Sequence, residues 1–134
     1  MENYSELFLN YIKSFRFKET PGGLYEPINY LLELGGKRVR PQLTLMATDI
    51  FGGNLKKSLP SALSVELFHN FTLMHDDIMD DAPLRRGQQT VHERWNINTG
   101  ILAGDTMLVQ AYQSLEAYPD ELFGKLTRLL SQAA

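Results

Sequence analysis

The sequence predicts an all-α protein, and three observations carry that prediction. Apolar residues recur at helical spacing in several stretches, while no stretch alternates apolar and polar residues over a strand's length. Glycine and proline clusters fall between those stretches, at Pro21-Gly22-Gly23, Gly35-Gly36 and Gly52-Gly53, and punctuate them. From Ser61 to Asp80 the chain holds neither proline nor glycine and is rich in Leu, Met and Phe, which is too long for one strand and reads as a buried helix.

Residues 4–15 repeat apolar groups at i, i+3, i+4 and predict an amphipathic helix. Residues 16–23 end in Pro21-Gly22-Gly23 and predict a break. A second helix over 24–34 is stopped by Gly35-Gly36. Pro41 suits the first turn of a third helix running to about Ile50, closed by Phe51-Gly52-Gly53-Asn54. Pro60 and Ser61 open the long helix. Ala82 to Asn98 is polar and reads as a loop with a helical turn around 91–95. Thr99 to about Ala117 is an apolar helix, and Pro119-Asp120 caps a last one from 120 to 132. The helices at 41–50, 61–80 and 100–117 look apolar round much of their circumference, as members of a buried bundle would.

Composition narrows the function. The 134 residues suffice for one domain with a core, and 43% apolar against 22% charged residues marks a globular chain. A net charge of -3, with clusters of cations at 37–40 and 84–86, gives no reason to expect nucleic acid and makes any anion binding local. No cysteine is present, which excludes a disulfide scaffold and a zinc-thiolate site. The start, Met1-Glu2-Asn3-Tyr4-Ser5-Glu6, is acidic and unlike a signal peptide. No apolar run approaches the roughly 20 residues of a membrane span. A cytoplasmic protein is expected.

The chemistry concentrates in Leu73-Met74-His75-Asp76-Asp77-Ile78-Met79-Asp80-Asp81, followed by Arg85-Arg86-Gly87. On a helix, Asp76 and Asp80 share a face, with His69 two turns earlier on the same side. Asp77 and Asp81 form a second pair about 100° round. Carboxylates this close repel, and burying them unpaired is costly. Apolar Leu67, Phe68, Phe71, Leu73, Met74, Ile78 and Met79 around them argue against a merely solvated helix end. Hard oxygen ligands in excess suit Mg²⁺, which is held by one or two carboxylates plus waters and substrate phosphates. Arg85 and Arg86 can clamp phosphate bidentately. Acids for a metal beside bases for phosphate suggest a diphosphate substrate held through Mg²⁺.

Other motifs weigh less. Gly35-Gly36-Lys37-Arg38-Val39-Arg40-Pro41 puts three cations at a helix start, where they oppose the macrodipole and where an anion would gain free N–H groups. Alone, that block reads slightly better as a solvated basic loop. The His75-Asp76 doublet also occurs in metal-dependent phosphohydrolases, but those need a distant upstream histidine, and only His69 precedes it. An EF-hand loop from Asp76 fails, because Asp81 stands where glycine is required. By spacing alone Phe68, Phe71, Met74 and Met79 are core. His92 and Trp95 read as structural or loop-surface residues. Gly104 inside an apolar helix costs about 1 kcal/mol relative to alanine. It predicts close helix packing, with Asp105 paired in a structural role.

The ordered set Gly-Gly-Lys-Arg-x-Arg-Pro (35–41), His69, Asp76-Asp77-x-x-Asp80, Arg85-Arg86-Gly87, Thr90-Val91-His92 and Ile101-Leu102-Ala103-Gly104-Asp105 closely resembles the trans-isoprenyl diphosphate synthases, the polyprenyl synthetase family. The resemblance covers residues from about 26 to 115. It implies an antiparallel helix bundle of the isoprenoid synthase type and Mg²⁺-dependent head-to-tail prenyl transfer. It implies that Asp76 and Asp80, with Asp77 in support, hold Mg²⁺ on the allylic diphosphate, and that Arg85 contacts that diphosphate. Lys37, Arg40, His69 and Arg86 are implied to bind isopentenyl diphosphate. The family limits product length with side chains just upstream of the first Asp, here Phe71, with Thr72 after it and Phe68 a turn earlier. A short product is implied, farnesyl to geranylgeranyl, with geranylgeranyl favoured because Thr72 is not aromatic.

The family also carries a second Asp-rich motif far downstream, with Lys-Thr and Phe-Gln motifs between, and Ala134 ends this chain before any of them. Gln89 stands where proline is usual. The resemblance therefore covers the N-terminal half of a synthase, a single portion over 1–134, expected to be inactive alone. Half a bundle exposes an apolar face, so a homodimer or higher oligomer is expected, formed by association or by helix swapping. The alternatives are a non-catalytic subunit that pairs with a full synthase and, more remotely, a phosphohydrolase of the His-Asp type.

Overall fold

The computed structural model describes residues 3–15 and 21–134. Met1, Glu2 and residues 16–20, including most of the break expected over 16–23, lie outside the described residues. Among the described residues the chain is all-α apart from one very short hairpin, and it divides into two compact units.

The first unit takes in the chain up to Phe15, Arg38–Glu66 and Gln110–Ala134. Helix α1 (Tyr4–Ser14) begins where the Asn3 side chain accepts the Glu6 N–H at 3.1 Å, a standard N-cap. It packs on α3 (Val39–Ile50), and the Tyr4 hydroxyl donates to Asp49 at 2.6 Å. Phe8, Leu45, Ala62, Leu63, Ala111 and Leu115 are buried and form this unit's core. Helix α3 starts two residues earlier than its proline suggests, at Val39, with Arg38 in the left-handed region as N-cap. Arg38 is buried against the equally buried Glu66, Nη1 to Oε1 at 2.8 Å. A short 3-10 turn (Leu115–Ala117) and α7 (Asp120–Ala133) close the chain.

Helix α4 runs Leu55–Met79, so Pro60 lies inside it and not at its start. A proline there removes one helical bond and crowds the carbonyl one turn back. The Tyr118 hydroxyl repairs the adjoining turn. It donates to the Lys57 carbonyl at 2.5 Å and accepts from the Ser61 N–H at 3.1 Å and the Ser61 hydroxyl at 2.8 Å. All three capacities of one hydroxyl are used. Residues 55–59 therefore continue the helix that the sequence appears to begin at Pro60.

The second unit takes in residues up to Lys37 and Leu67–Val109. Helix α2 (Gly22–Glu33) has Pro21 as N-cap, so Pro21-Gly22-Gly23 opens a helix rather than forming only a break. The end of α4, α5 (Val91–Arg94) and most of α6 (Ile97–Ser114) complete it. Ile28, Leu31, Leu32, Leu67, Met74, Val91, Ala103 and Met107 are among its buried apolar residues. Gly104 does mark close packing: a Cβ there would collide with the His75 imidazole. Nε2 of His75 lies 3.0 Å from the Ile101 carbonyl and 3.6 Å from Asp105, the partner that the sequence left open.

Between α4 and α5 lies a hairpin that no sequence pattern announced. Strands β1 (Leu84–Arg85) and β2 (Gln88–Gln89) pair antiparallel, Leu84 opposite Gln89. Arg86 and Gly87 form the two-residue turn, both at positive φ, as the turn that matches strand twist requires. Tyr30 of α2 donates to the Gln89 carbonyl at 2.7 Å and meets Trp95 edge-on, with the Arg94 guanidinium over both rings. Trp95 is thus structural.

The expectation that three helices are apolar-buried round most of their circumference is corrected for α3 and α6. Leu43, Met46 and Ile50 of α3 and Ile97, Ile101, Leu102 and Val109 of α6 are exposed. Met79, expected in the core, is exposed too, because α4 ends at that residue. No described helix is long and apolar enough to cross a membrane.

Candidate functional site

The predicted acids sit at the C-terminal end of α4, within the second unit. The Asp80 N–H donates to the Asp76 carbonyl at 2.8 Å, so the helical turn persists to Asp80 and keeps the two side chains on one side. Both are exposed, not enclosed among apolar neighbours as the sequence suggested, and neither carboxylate makes a hydrogen bond or ion pair among the described residues. The helix then stops in a paired-bond cap: Asp81 N–H donates to the Ile78 carbonyl at 3.1 Å and Ala82 N–H to the Asp77 carbonyl at 2.9 Å. Asp81 takes the left-handed position of that cap, φ 50°, which glycine usually holds. It has therefore left the helix, and the second helical pair expected of Asp77 and Asp81 does not form.

Asp77 is the buried acid. Its two oxygens accept from Nε and Nη2 of Arg85, both at 2.8 Å, in a bidentate fork. The hydrogen bond to Asp77 raises the Arg85 pKa above its ordinary value, burial works the other way, and the charges of Asp77 and Asp76 add to the rise. Arg85 is therefore a fixed cation beside the exposed Asp76 and Asp80.

The hairpin separates the two arginines. Arg85 turns to α4, while the Arg86 guanidinium lies so close to Gly36 that a Cβ on Gly36 would come within 2.7 Å of Nη2. Gly36, at φ 139°, has no side chain to block that approach. The fold thus brings Arg86 onto the loop that carries the exposed Lys37, joining two motifs far apart in sequence. Arg40, exposed in the first turn of α3, belongs to the first unit. His69 is half-buried on α4, two turns before Asp76.

The side chains upstream of the acids form an aromatic row. Phe71 meets Phe68 at 5.5 Å and the His75 ring at 4.9 Å, both edge-on, and both phenylalanines are half-buried, not core. The Thr72 hydroxyl turns back to the His69 carbonyl at 2.6 Å. With Nε2 of His75 on the Ile101 carbonyl, the His75-Asp76 doublet does not present a paired metal site of the phosphohydrolase kind.

His92, read from the sequence as structural or loop-surface, and Asp81, read as the partner of Asp77, come together in the structure. His92 is buried, and one donor atom from each of Asp81, His92 and Glu93 lies within 4.8 Å of the others. The adjacency of His92 and Glu93 was visible in the sequence, but the turn that delivers Asp81 was not.

The sequence profile of the polyprenyl synthetase family matches residues 21–134. The chain is 41% identical over 115 residues to a geranylgeranyl pyrophosphate synthase of Geoglobus acetivorans, covering 84% of this chain and 36% of that protein. It is 42% identical over 113 residues to a farnesyl diphosphate synthase of Micrococcus luteus, covering 81% of this chain and 39% of that one. A crystal structure of a geranylgeranyl pyrophosphate synthase superposes with a TM-score of 0.94 at 49% identity, over 98% of this chain and 41% of that one. The chain thus spans between 36% and 41% of the length of these relatives. With that profile match, these similarities and the shared fold, the chain belongs to the polyprenyl synthetase family.

Proposed function

We propose that this chain carries the substrate-gripping portion of a short-chain prenyl diphosphate synthase, one that joins isopentenyl diphosphate to an allylic diphosphate. The observation that carries the reading is the pairing of roles at the end of α4. One acid, Asp77, is committed to locking Arg85, while two acids of one helical turn, Asp76 and Asp80, are exposed and make no hydrogen bond or ion pair among the described residues.

That donor set fits Mg²⁺: two hard, anionic oxygens on one side of a helix, open to water and to substrate oxygens. Asp76 and Asp80 would hold it, and when bound it supplies positive charge to the diphosphate oxygens that leave. Arg85, oriented by Asp77, contacts the allylic diphosphate. Lys37, His69 and Arg86, with Arg40 three residues along the chain, hold the diphosphate of isopentenyl diphosphate. The reaction breaks the allylic C–O bond, joins the allylic carbon to the terminal alkene carbon of isopentenyl diphosphate, and releases a proton to the departing diphosphate. No side-chain base is needed. Phe71, with Phe68 and Thr72, limits the product to farnesyl or geranylgeranyl length. We place the protein in the cytoplasm and as a homodimer, and the exposed apolar residues of α3 and α6 support association.

Calorimetric titration of the chain with Mg²⁺ and a non-ionising allylic thiodiphosphate tests the site. Asp76→Asn and Asp80→Asn are each expected to weaken Mg²⁺-dependent binding at least about tenfold, roughly the loss of one charge-assisted contact. Unchanged binding in both variants overturns the reading. In a prenyl-transfer assay we expect no turnover from these 134 residues alone, and measurable product would refute that part.

A further inference from the structure

We propose that His92, Asp81 and Glu93 form a second divalent-cation site, of the zinc type rather than the magnesium type, apart from Asp76 and Asp80. The site has two independent features. One donor atom from each residue lies within 4.8 Å of the other two. His92 is only 9% exposed, and both its ring nitrogens are shielded from solvent with no hydrogen-bond partner among the described residues.

A buried imidazole with neither nitrogen satisfied is costly, and buried polar groups in folded proteins are nearly always paired. Two carboxylates brought against it add mutual repulsion. A cation among the three satisfies one of the ring nitrogens and offsets the carboxylate repulsion. Asp81 and Glu93 are exposed, and neither is held by a hydrogen bond or ion pair among the described residues. Zinc donors sit about 2 Å from the ion, so two donors can be at most about 4 Å apart. In a tetrahedral site the donors stand about 3.3 Å apart, so the carboxylates need to close by at most about 1.5 Å, a rotamer adjustment for exposed side chains.

The ligand chemistry selects the ion. A neutral imidazole nitrogen suits Zn²⁺ and its first-row neighbours, whereas Mg²⁺ takes oxygen ligands and keeps its water. Three protein ligands leave a fourth position for water or an exogenous oxygen ligand. The polypeptide route to the site is specific. The left-handed cap at Asp81 turns its carboxylate out of α4 towards α5, and Gly100 of α6 comes close to His92: a Cβ there would stand 3.8 Å from the His92 Cβ.

The test is Zn²⁺ titration of the 134-residue chain against a chromophoric chelator, with nitrogen-15 NMR of the histidine rings alongside. One Zn²⁺ per chain is expected, with the His92 ring nitrogens shifting on binding. The exposed variants Asp81→Asn and Glu93→Gln are each expected to weaken binding at least tenfold while circular dichroism stays unchanged, and His92→Gln to abolish it. The double variant Asp76→Asn with Asp80→Asn is expected to keep the same Zn²⁺ affinity. No stoichiometric binding, or equal affinity in Asp81→Asn and Glu93→Gln, overturns the proposal. So does a loss confined to the Asp76/Asp80 variant.

Discussion

Removing the two ends of the Asp77–Arg85 fork should cost different amounts. The fork has two 2.8 Å bonds, with the Asp77 side chain 8% exposed and that of Arg85 24% exposed. At about 4 Å between charge centres and an effective dielectric near 20, the gross attraction is about 4 kcal/mol, much of it offset by desolvation. The asymmetry comes from what each truncation leaves behind. Arg85→Met leaves a buried carboxylate without its partner, which costs about 3–5 kcal/mol. Asp77→Asn leaves a guanidinium already a quarter exposed, which can turn to water, and an amide oxygen that still accepts one bond, so about 1–2 kcal/mol is expected. Urea denaturation followed by circular dichroism, at low and at high salt, measures both. The gap should survive added salt, because a buried pair is screened little. An Arg85→Met variant within about 0.5 kcal/mol of the parent, or an Asp77→Asn variant the less stable of the two, refutes the reasoning.

Two further outcomes follow from packing. Tyr118→Phe removes the hydroxyl that closes the turn after Pro60 and should cost about 1–2 kcal/mol. The check is the Ser61 amide, whose hydrogen exchange should speed up at least about tenfold, in line with that loss. Gly104→Ala gains about 1 kcal/mol of helix propensity but drives a methyl into His75, an overpacking cost of about 1–3 kcal/mol. The single variant should be less stable, and in a His75→Ala background the same change should become stabilising. A double-mutant cycle by chemical denaturation that shows no coupling would count against the packing account.

The helices that could be read ahead were those whose signals are local. The apolar period of α1, the glycines after α2, and the long unbroken run ending at Asp80 each act on their own turn of backbone. The predicted start of α4 failed because Pro60 is a local stop signal that a distant hydroxyl, from Tyr118, neutralises. The hairpin at 84–89 escaped notice because two residues per strand carry no alternation to detect. The exposure of Leu43, Met46 and Ile50 was equally hidden, since an apolar residue does not itself say whether anything covers it.

For the site, the sequence by itself determined which groups are present and that Asp76 and Asp80 share a side, because helical spacing is a property of the backbone. Tertiary structure alone decided how those groups divide their work: Arg38 goes to Glu66, Arg85 to Asp77, Arg86 comes close beside Gly36, and Asp81 leaves its helix towards His92. Each of those choices is made by a partner many residues away or by a turn at positive φ. Ion pairing and burial depend on distance in space, which spacing along the chain does not encode.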